Sequence, residues 1–199
     1  EQDLFAFNSQ EKTQKAINKK KFKNELIKLQ INNNDKNFIF ETDEHPRSNI
    51  NLEDLQKLKT VFKENGTVTA GNSSGINDGA AATILMSRRE AEAKGVEPLT
   101  KVVSWATCGV EPSLMGLGPI KAVNMALEKA GWKSKDVGLF EINEAFAAQS
   151  IAVIRDLKIS KEITNVNGGA IALGHPIGAS GTRILVTLIH EMIRQNKAK

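Results

Sequence analysis

The residues best suited to chemistry lie in a glycine-rich stretch near the end of the printed chain. The sequence NVNGGAIALGHPIGASGTRI, residues 165–184, places several glycines around one histidine, His175. Glycines at this density permit tight turns and close approach of the backbone to a ligand, because they carry no Cβ. A glycine-rich loop that leads into a helix can also direct amide N–H groups at an anion. The stretch predicts a site for a phosphate, a carboxylate or a reaction oxyanion, with His175 as acid–base group.

Alternating strand-like and helix-like segments are predicted to position this stretch. Strands are expected at 102–106, Val137–Ile142 and Ile163–Val166. Helices are expected from a cap at Asp78 to Gly95, from Pro119 to Gly131, from Glu144 to about Asp156, and after the glycine-rich loop, where Ile184, Leu185, Leu188, Ile189 and Met192 should face inward. The alternation predicts an α/β domain with a largely buried sheet, whose strand-to-helix turns carry the candidate residues.

The first 75 or so residues have a different character and are rich in lysine and asparagine. They predict a helix from Asp3 to Asn18 and strands at 26–31 and 37–40. A further helix should follow a cap at Asn51, because apolar residues recur at helical spacing behind it. His45 in this region, like His190 in the last helix, is expected to be a surface or packing residue.

Composition excludes several classes of protein. The chain is 40% hydrophobic and 25% charged, as in soluble globular proteins. It contains no apolar run of roughly 20 residues, and its first residues do not have the apolar stretch expected of a signal peptide. Its net charge is +4, but it has no tyrosine and no interleaving of aromatic and basic residues. We therefore expect no nucleic-acid or membrane partner, and a basic surface that could favour a polyanion such as coenzyme A.

The single cysteine, Cys108, ends an apolar run and is expected to be a small buried thiol rather than a nucleophile. One cysteine excludes an internal disulfide and fits a reducing compartment, the cytoplasm or alternatively the mitochondrial matrix.

Four motifs occur in order: GNSSGINDGAAA from Gly71, VEPSLMGLGP from Val110, EINEAFAAQ from Glu141, and NGGAIALGHPIGASG from Asn167. Together they resemble the thiolase family, and within it the acetyl-CoA acetyltransferase type, from Glu1 to the last residue. The resemblance implies an α/β, thiolase-like layered fold made of one βαβα half with part of an inserted loop domain. Residues 1–76 would be the later part of the loop domain that covers the substrate. Residues 77–199 would be the C-terminal domain, cut before its final cysteine-containing loop.

The resemblance also implies the chemistry, a reversible Claisen condensation of two acetyl-CoA to acetoacetyl-CoA and coenzyme A through an acyl-cysteine. His175 would take the proton of the nucleophilic cysteine and donate a hydrogen bond to the thioester oxygen. Asn143 would hold a water that completes the oxyanion hole, although by its position it could also be a helix cap. Glu144 would be structural, because the family assigns the α-proton base to a second cysteine.

Coenzyme A recognition is expected from several loops. Arg47 would lie beside the nucleotide end, where guanidinium suits phosphate and adenine, and Ser74 beside the pantetheine arm. The channel would be lined by Ala70, Met115, Ala145 and Phe146. Met115 implies a short acyl group, whereas Asp54 departs from the family pattern near the adenine end. No metal and no separate cofactor is expected, since coenzyme A is a substrate and product, and the family implies a homo-oligomer, a dimer or tetramer, in fatty acid metabolism.

Neither reactive cysteine context of the family is present in the 199 residues. The chain is therefore expected to be a fragment, inactive by itself. Two alternatives remain open. One is a non-catalytic thiolase-like subunit. The other is a nucleotide-binding module that uses the glycine-rich stretch as a phosphate loop, although the usual dinucleotide and P-loop signatures are missing.

Overall fold

The computed structural model describes residues 1–33 and 36–198. Its α-helices are α1 (Gln2–Asn18), α2 (Leu52–Gln56), α3 (Arg88–Ala93), α4 (Gly118–Ala130), α5 (Ala147–Asp156), α6 (Ala170–Leu173) and α7 (Ser180–Gln195). Three short 3-10 helices cover Lys21–Asn24, Pro112–Leu117 and Ser134–Asp136. Two strands, β1 (Leu29–Asn33) and β2 (Lys36–Phe40), form an antiparallel hairpin. None of the helices within these ranges is long and apolar enough to cross a membrane.

Helix α1 organises the first third of the chain and confirms the helix predicted from Asp3 to Asn18. Its buried residues are Ala6, Ser9, Gln10, Thr13 and Ala16, which recur at helical spacing. These side chains are short or polar, so α1 packs closely on α5 and α6 and hydrogen-bonds to the glycine-rich stretch. The strands predicted at 26–31 and 37–40 are also confirmed as the hairpin, with shifted bounds.

Helix α5 links two apolar clusters. One contains Ala6, Leu55, Ala147, Ile151 and Ile171. The other contains Ile142, Val153, Ile154, Leu157 and Ile159. Burial of each large aliphatic side chain stabilises the fold by about 1.5–3 kcal/mol, so α5 is held firmly on both sides. Because α5 is held in place, the chain segments directly before and after it are held in place as well.

The helix predicted from Asp78 to Gly95 is wrong over its first half. Residues 79–86 are not helical, and α3 starts only at Arg88. Ser87 is its cap, because the Ser87 side chain accepts a hydrogen bond from the Glu90 backbone N–H. A serine three residues before a glutamate is a stronger start signal than Asp78, which is followed by Gly79, by alanines and then by β-branched residues. The predicted end is confirmed, since Gly95 follows α3 with φ +63°.

The predicted largely buried sheet does not form as a ladder among residues 1–33 and 36–198. The segments predicted as strands at 137–142 and 163–166 run parallel, but they pair as a single bridge between Phe140 and Thr164 and not as a ladder, and the Asn165 side chain adds hydrogen bonds to the Ile142 backbone. The segment at 102–106 is exposed at Trp105 (71%) and Val102 (57%) and is attached to α4 through a hydrogen bond from Ser104 Oγ to Ala126 O. Its apolar composition indicated a buried strand, but burial requires neighbouring strands that these ranges do not provide.

Helix α4 follows its prediction, with Pro119 in its first turn and Gly131 as a left-handed cap. Helix α7 is also confirmed as a helix, but its buried residues are polar: Ser180, Thr187 and Glu191. The five apolar residues predicted to face inward are only half-buried. The reason is that Glu191 faces the interior to accept hydrogen bonds from Asn167 (2.7 Å) and Lys21 (3.3 Å).

Candidate active site around His175

His175 lies in the loop between α6 and α7, against the segment that follows Asn72. Its backbone N–H donates to the carbonyl oxygen of Gly75 (3.0 Å) and approaches Asn77 Oδ1 (3.3 Å). Gly174 has φ +95°, and a Cβ there would lie 2.4 Å from Asn77 Oδ1. Glycine is therefore required before the histidine for both conformation and space.

The histidine ring is oriented by Ser180, the first residue of α7. Ser180 Oγ lies 2.6 Å from His175 Nδ1 and 3.0 Å from the Pro176 carbonyl oxygen. When the hydroxyl hydrogen is donated to the carbonyl, Nδ1–H donates to Ser180 and the lone pair is on Nε2. This tautomer suits a base that takes a proton at Nε2.

Asn143 lies on the Nε2 side of the ring. Its Nδ2 atom is 3.3 Å from His175 Nε2, and its Oδ1 atom is buried without a hydrogen-bond partner among the described residues. The alternative role of Asn143 as a helix cap is wrong, as is the predicted helix start at Glu144. Helix α5 begins at Ala147, where the backbone N–H of Phe146 donates to Gln149 Oε1 (3.0 Å). The Asn143 amide therefore remains available to the site.

Ser74, Ala145 and Phe146 are brought together by pairing between two of the motifs. The Ser74 backbone N–H and hydroxyl both donate to the Ala145 carbonyl oxygen (3.0 and 3.1 Å), and Ser73 pairs with Phe146 in an antiparallel bridge. The Phe146 ring contacts the Phe62 ring edge-on, with centroids 5.8 Å apart. This places the loop around Phe62 beside the site.

Three predicted residues lie on other segments. Met115 is 73% exposed, in a 3-10 helix that packs on α5 where Gly116 meets Gln149. Arg47 is exposed, and its backbone N–H donates to Gln10 Oε1 (3.0 Å). Ala70 is exposed in the turn before Gly71. Within residues 1–33 and 36–198, no described hydrogen bond or ring contact joins these three to His175.

An open cavity of about 440 Å³ adjoins the histidine. It is lined by residues 77–81 and 176–179, and the two segments meet where Gly79 lies on Pro176. A Cβ at position 79 would be 2.9 Å from the proline ring. A volume of several hundred Å³ suits part of a small-molecule substrate.

Two family models match this chain. The N-terminal domain of thiolase matches residues 1–89, and the C-terminal domain of thiolase matches residues 96–199. The chain belongs to the thiolase family. The domain boundary expected at residues 76 and 77 stays a prediction.

Relatives and solved structures of other thiolases agree with this assignment. The acetyl-CoA acetyltransferase of Syntrophomonas wolfei is 54% identical over 201 residues, which include 100% of this chain and 50% of the relative. The 3-ketoacyl-CoA thiolase of Bacillus subtilis is 47% identical, over 99% of this chain and 53% of the relative. The crystal structure of Bacillus anthracis acetyl-CoA acetyltransferase has a TM-score of 0.97 at 45% identity, covering 98% of this chain and 50% of its own. The chain thus spans about half the length of these relatives, and the predicted α/β thiolase-like fold is confirmed.

Glu144 is structural in this thiolase chain, as predicted. The side chain is 2% exposed and accepts hydrogen bonds from Ser9 Oγ (2.6 Å), Asn165 Nδ2 (2.8 Å) and the Ile171 backbone N–H (3.3 Å). Burial raises the pKa of the Glu144 carboxyl, and the hydrogen bonds oppose this. A Cβ at Gly169 would lie 2.3 Å from this carboxyl. Glu144 therefore connects its own segment, Asn143–Phe146, to α1 and to the glycine-rich stretch.

Sequence reasoning missed Ser180, Asn77 and Asn165. Ser180 stands at a helix start, where serine is an ordinary cap, so its contact with His175 has no separate signal. The side chains of Asn77 and Asn165 bind backbone or side-chain groups far away in the sequence. Such contacts leave no local pattern, and only the folded chain reveals them.

His45 and Cys108 do not join the site. His45 Nδ1 lies 2.9 Å from the Ala172 carbonyl oxygen, and the ring packs against Gly75, in agreement with the packing role predicted for it. Cys108 is half-buried rather than buried, and its Sγ lies 3.4 Å from the Gly118 carbonyl oxygen.

Two half-buried carboxyl groups, those of Glu141 and Glu25, predict how stability depends on pH. Burial raises the pKa of Glu141 from 4.5 to about 8 and that of Glu25 from 4.5 to about 7. Between pH 4.5 and these raised pKa values, the folded state keeps protons that the unfolded state has lost. The free energy of unfolding therefore falls as the pH rises through this interval. We expect the urea midpoint of the full-length gene product to decrease from pH 5 to pH 8.

Replacement of both carboxyls should flatten this dependence. The comparison is Glu25→Gln/Glu141→Gln against Asp136→Asn, which alters an exposed carboxyl. A midpoint that stays constant or rises over this range in the unaltered protein would contradict the prediction.

Proposed function

We propose that the full-length gene product containing these 199 residues is an acetyl-CoA C-acetyltransferase, which condenses two acetyl-CoA to acetoacetyl-CoA and coenzyme A reversibly. The observation that carries the proposal is the pairing of His175 Nε2 with Asn143 Nδ2 at 3.3 Å, on a ring held by Ser180. A base and an amide donor side by side suit a reaction in which an oxyanion forms next to a proton transfer. The names of the acetyl-CoA acetyltransferase relatives further support this choice.

In the first half-reaction His175 Nε2 takes the proton of a cysteine thiol that lies outside the 199 residues. The imidazolium donates a hydrogen bond to the oxyanion that forms as the thiolate attacks the thioester carbonyl. The leaving coenzyme A thiolate takes its proton from the family's second cysteine, which also lies outside the 199 residues, so His175 keeps its proton at Nε2. The second cysteine, now a thiolate, is the base that removes the α-proton in the next step. In the second half-reaction an acetyl thioester loses an α-proton, and its enolate oxygen is stabilised by His175 and a water held by Asn143. Loss of one such donor costs about 3–4 kcal/mol in the barrier of comparable enzymes.

Coenzyme A binding is proposed for the loops around this pair. Arg47 would contact the nucleotide end, Ser74 the pantetheine arm, and the channel would be lined by Ala70, Met115, Ala145 and Phe146. Support comes from a solved human mitochondrial 3-ketoacyl-CoA thiolase in complex with CoA, which is 41% identical to this chain with a TM-score of 0.90. We further propose a cytoplasmic homo-oligomer, a dimer or tetramer, that acts in fatty acid metabolism, as the family resemblance implies.

Thiolysis of acetoacetyl-CoA by coenzyme A tests the proposal. The full-length gene product should turn over, whereas residues 1–199 alone should give no activity above background, because His175 has no thiol to activate there. Absence of turnover in the full-length product would refute the proposal and favour a non-catalytic subunit. Turnover by 1–199 that disappears with Cys108→Ser would instead show that Cys108 is the nucleophile.

The acyl group should be short. Met115 belongs to VEPSLMGLGP, and a thioether side chain beside the acyl pocket would occupy the space of a longer alkyl chain. Because each buried methylene otherwise favours binding by about 0.8 kcal/mol, a kcat/KM that falls with chain length requires steric exclusion. We expect kcat/KM to fall at least tenfold from C4 to C8 ketoacyl-CoA, and Met115→Ala to reduce this fall.

Leu114→Ala is the matched control, since Leu114 is an exposed neighbour of Met115. Efficient turnover of the C8 substrate by the unaltered enzyme would favour the 3-ketoacyl-CoA thiolase type, to which the 47% identical Bacillus subtilis relative belongs.

A further inference from the structure

Asn165 is a buried polar residue at the start of the glycine-rich stretch, and the chemistry described above does not use it. The residue is 3% exposed, and its side-chain amide makes three hydrogen bonds of 2.8 Å each. Oδ1 accepts from the backbone N–H of Ile142, while Nδ2 donates to the Ile142 carbonyl oxygen and to Glu144 Oε1. An amide group carries two donor hydrogens and one acceptor oxygen, so every polar group of this side chain is bonded.

These three hydrogen bonds lie on both sides of Asn143 in the chain. Ile142 directly precedes Asn143, and Glu144 directly follows it. The side chain of Asn143 itself has a different neighbour, since its Nδ2 atom lies 3.3 Å from His175 Nε2. Asn165 therefore holds the backbone before Asn143 and the side chain after it, and leaves the Asn143 amide to the site.

The backbone of Asn165 is also held in place. Its N–H donates to the Phe140 carbonyl oxygen (2.9 Å), and its carbonyl oxygen accepts from the Gly168 N–H (3.0 Å). Its φ is +45°, in the left-handed region that asparagine adopts more readily than most residues with a Cβ. The position thus requires a left-handed backbone together with one side chain that both donates and accepts. Asparagine meets both requirements, whereas glycine and aspartate meet only the first.

The hydrogen bond to Glu144 connects Asn165 to the element that leads to His175. The Glu144 carboxyl also accepts from Ser9 Oγ (2.6 Å) and from the N–H of Ile171 (3.3 Å), which belongs to α6, directly ahead of the His175 loop. Burial raises the pKa of Glu144, and the hydrogen bond from Asn165 is the largest influence that opposes it. A carboxylate at position 165 would lose this donor and repel Glu144.

We propose that Asn165 is a positioning residue, which fixes the distance between the Asn143 amide and His175 by holding the chain on both sides of Asn143. The effect on catalysis rests on the proposed thiolase function of the His175–Asn143 pair, whereas the positioning itself does not. A misplacement of about 1 Å in a catalytic site can reduce the rate about a hundredfold. Loss of the Asn165 amide should therefore lower kcat, and KM should change little because the displaced group acts on the oxyanion.

The test compares Asn165→Asp with Asn196→Asp in the full-length gene product, by thiolysis of acetoacetyl-CoA. Both asparagines have left-handed backbones, but Asn196 (φ +52°) is exposed at the end of α7. We expect Asn165→Asp to lower kcat by about ten- to a hundredfold, with KM within about threefold. The loss should not exceed that of Asn143→Ala, because Asn165 acts through Asn143. Asn196→Asp should stay within about twofold of the unaltered enzyme.

A double-mutant cycle separates positioning from a general loss of stability. In the Asn143→Ala background the amide is already gone, so Asn165→Asp should lower kcat by no more than about twofold further. A residue that only stabilises the fold would lower kcat by the same factor in both backgrounds. Asn165→Gly is the second variant, because it permits the left-handed backbone and removes the side chain. It should give the same pattern, and it replaces Asn165→Asp in the cycle if the aspartate variant does not fold.

The distance between Asn143 Nδ2 and His175 Nε2, in crystal structures of the variants, is a readout independent of activity. It should differ from that in the unaltered protein by about 0.5 Å or more in Asn165→Asp, and stay the same in Asn196→Asp. The proposal is overturned if this distance is unchanged in Asn165→Asp, if the kcat effects multiply in the double variant, or if only the melting temperature falls. It is equally overturned if neither Asn165 variant folds, since the residue would then be required for the fold as a whole.

The same structures distinguish this proposal from the proposed function. An unaltered protein without thiolysis activity, but with a displaced Asn143 in Asn165→Asp, would refute the proposed function and leave the positioning role supported.

Discussion

Replacement of His175 by alanine in the full-length gene product is expected to reduce kcat for acetoacetyl-CoA thiolysis about a thousandfold or more. The imidazole supplies two functions that strengthen in the transition state. Proton transfer at Nε2 contributes about 10²–10⁴, and a donor to the oxyanion about 10²–10³. KM should change by only a few-fold, since neither function is needed to bind the ground state. Steady-state kinetics at saturating coenzyme A measures both parameters.

His190→Ala is the matched control, because His190 lies on α7 and none of the described hydrogen bonds joins it to His175. It should leave kcat within about twofold. Asn143→Ala should reduce kcat in the same way as His175→Ala but less, because water can partly replace the amide. If either variant acted mainly through KM, the oxyanion-hole assignment would be wrong.

Replacement of Glu144 by alanine is expected to lower the free energy of unfolding by about 3–5 kcal/mol, or to prevent folding altogether. Three buried donors, from Ser9, Asn165 and Ile171, would lose their acceptor at once. Each unsatisfied buried donor costs about 1–3 kcal/mol. Removal of one partner from a buried charged pair costs about 3–5 kcal/mol, which is the loss expected here. Urea denaturation of the full-length gene product measures the effect.

Glu11→Ala provides the comparison, since Glu11 is an exposed carboxylate of α1 that pairs with the exposed Lys15. Its loss should cost less than about 1 kcal/mol. Glu144→Gln should lie between the two, because an amide keeps one acceptor oxygen. A Glu144→Ala protein of normal stability that had lost kcat would mean that Glu144 is a catalytic base and not a structural acceptor.

The sequence was informative where the signals are local. The spacing of apolar residues and the terminal glycine of α4 predicted that helix, and the density of glycines around His175 predicted a shaped loop in front of a helix. In both instances the determining contacts lie within a few residues of one another. The neighbourhood of Asn143 and His175, by contrast, was implied by the family resemblance, since the position of Asn143 alone suggested a helix cap.

The predictions failed where the outcome depends on distant partners. The 102–106 segment has the composition of a buried strand, but composition does not reveal whether another strand pairs with it. Helix α7 has an apolar face, yet Asn167 and Lys21 draw the opposite, polar side of the helix inward. The start of α5 at Ala147 depends on Gln149, which bonds to the Phe146 backbone, and not on the asparagine that seemed to be a cap.

The segments at 79–86 and 102–106, which form neither helix nor strand, have a consequence for handling the 199 residues in the laboratory. Ile84 is 87% exposed and Leu85 75% exposed, on backbone that no strand pairs within residues 1–33 and 36–198. Unpaired apolar edges of this kind recruit other extended chains and seed aggregation. Expressed alone, residues 1–199 should form inclusion bodies at concentrations at which a protein without exposed apolar edges stays in solution. Lysine substitutions along these edges would keep residues 1–199 in solution, but they would also disrupt any strand pairing that requires the replaced apolar side chains.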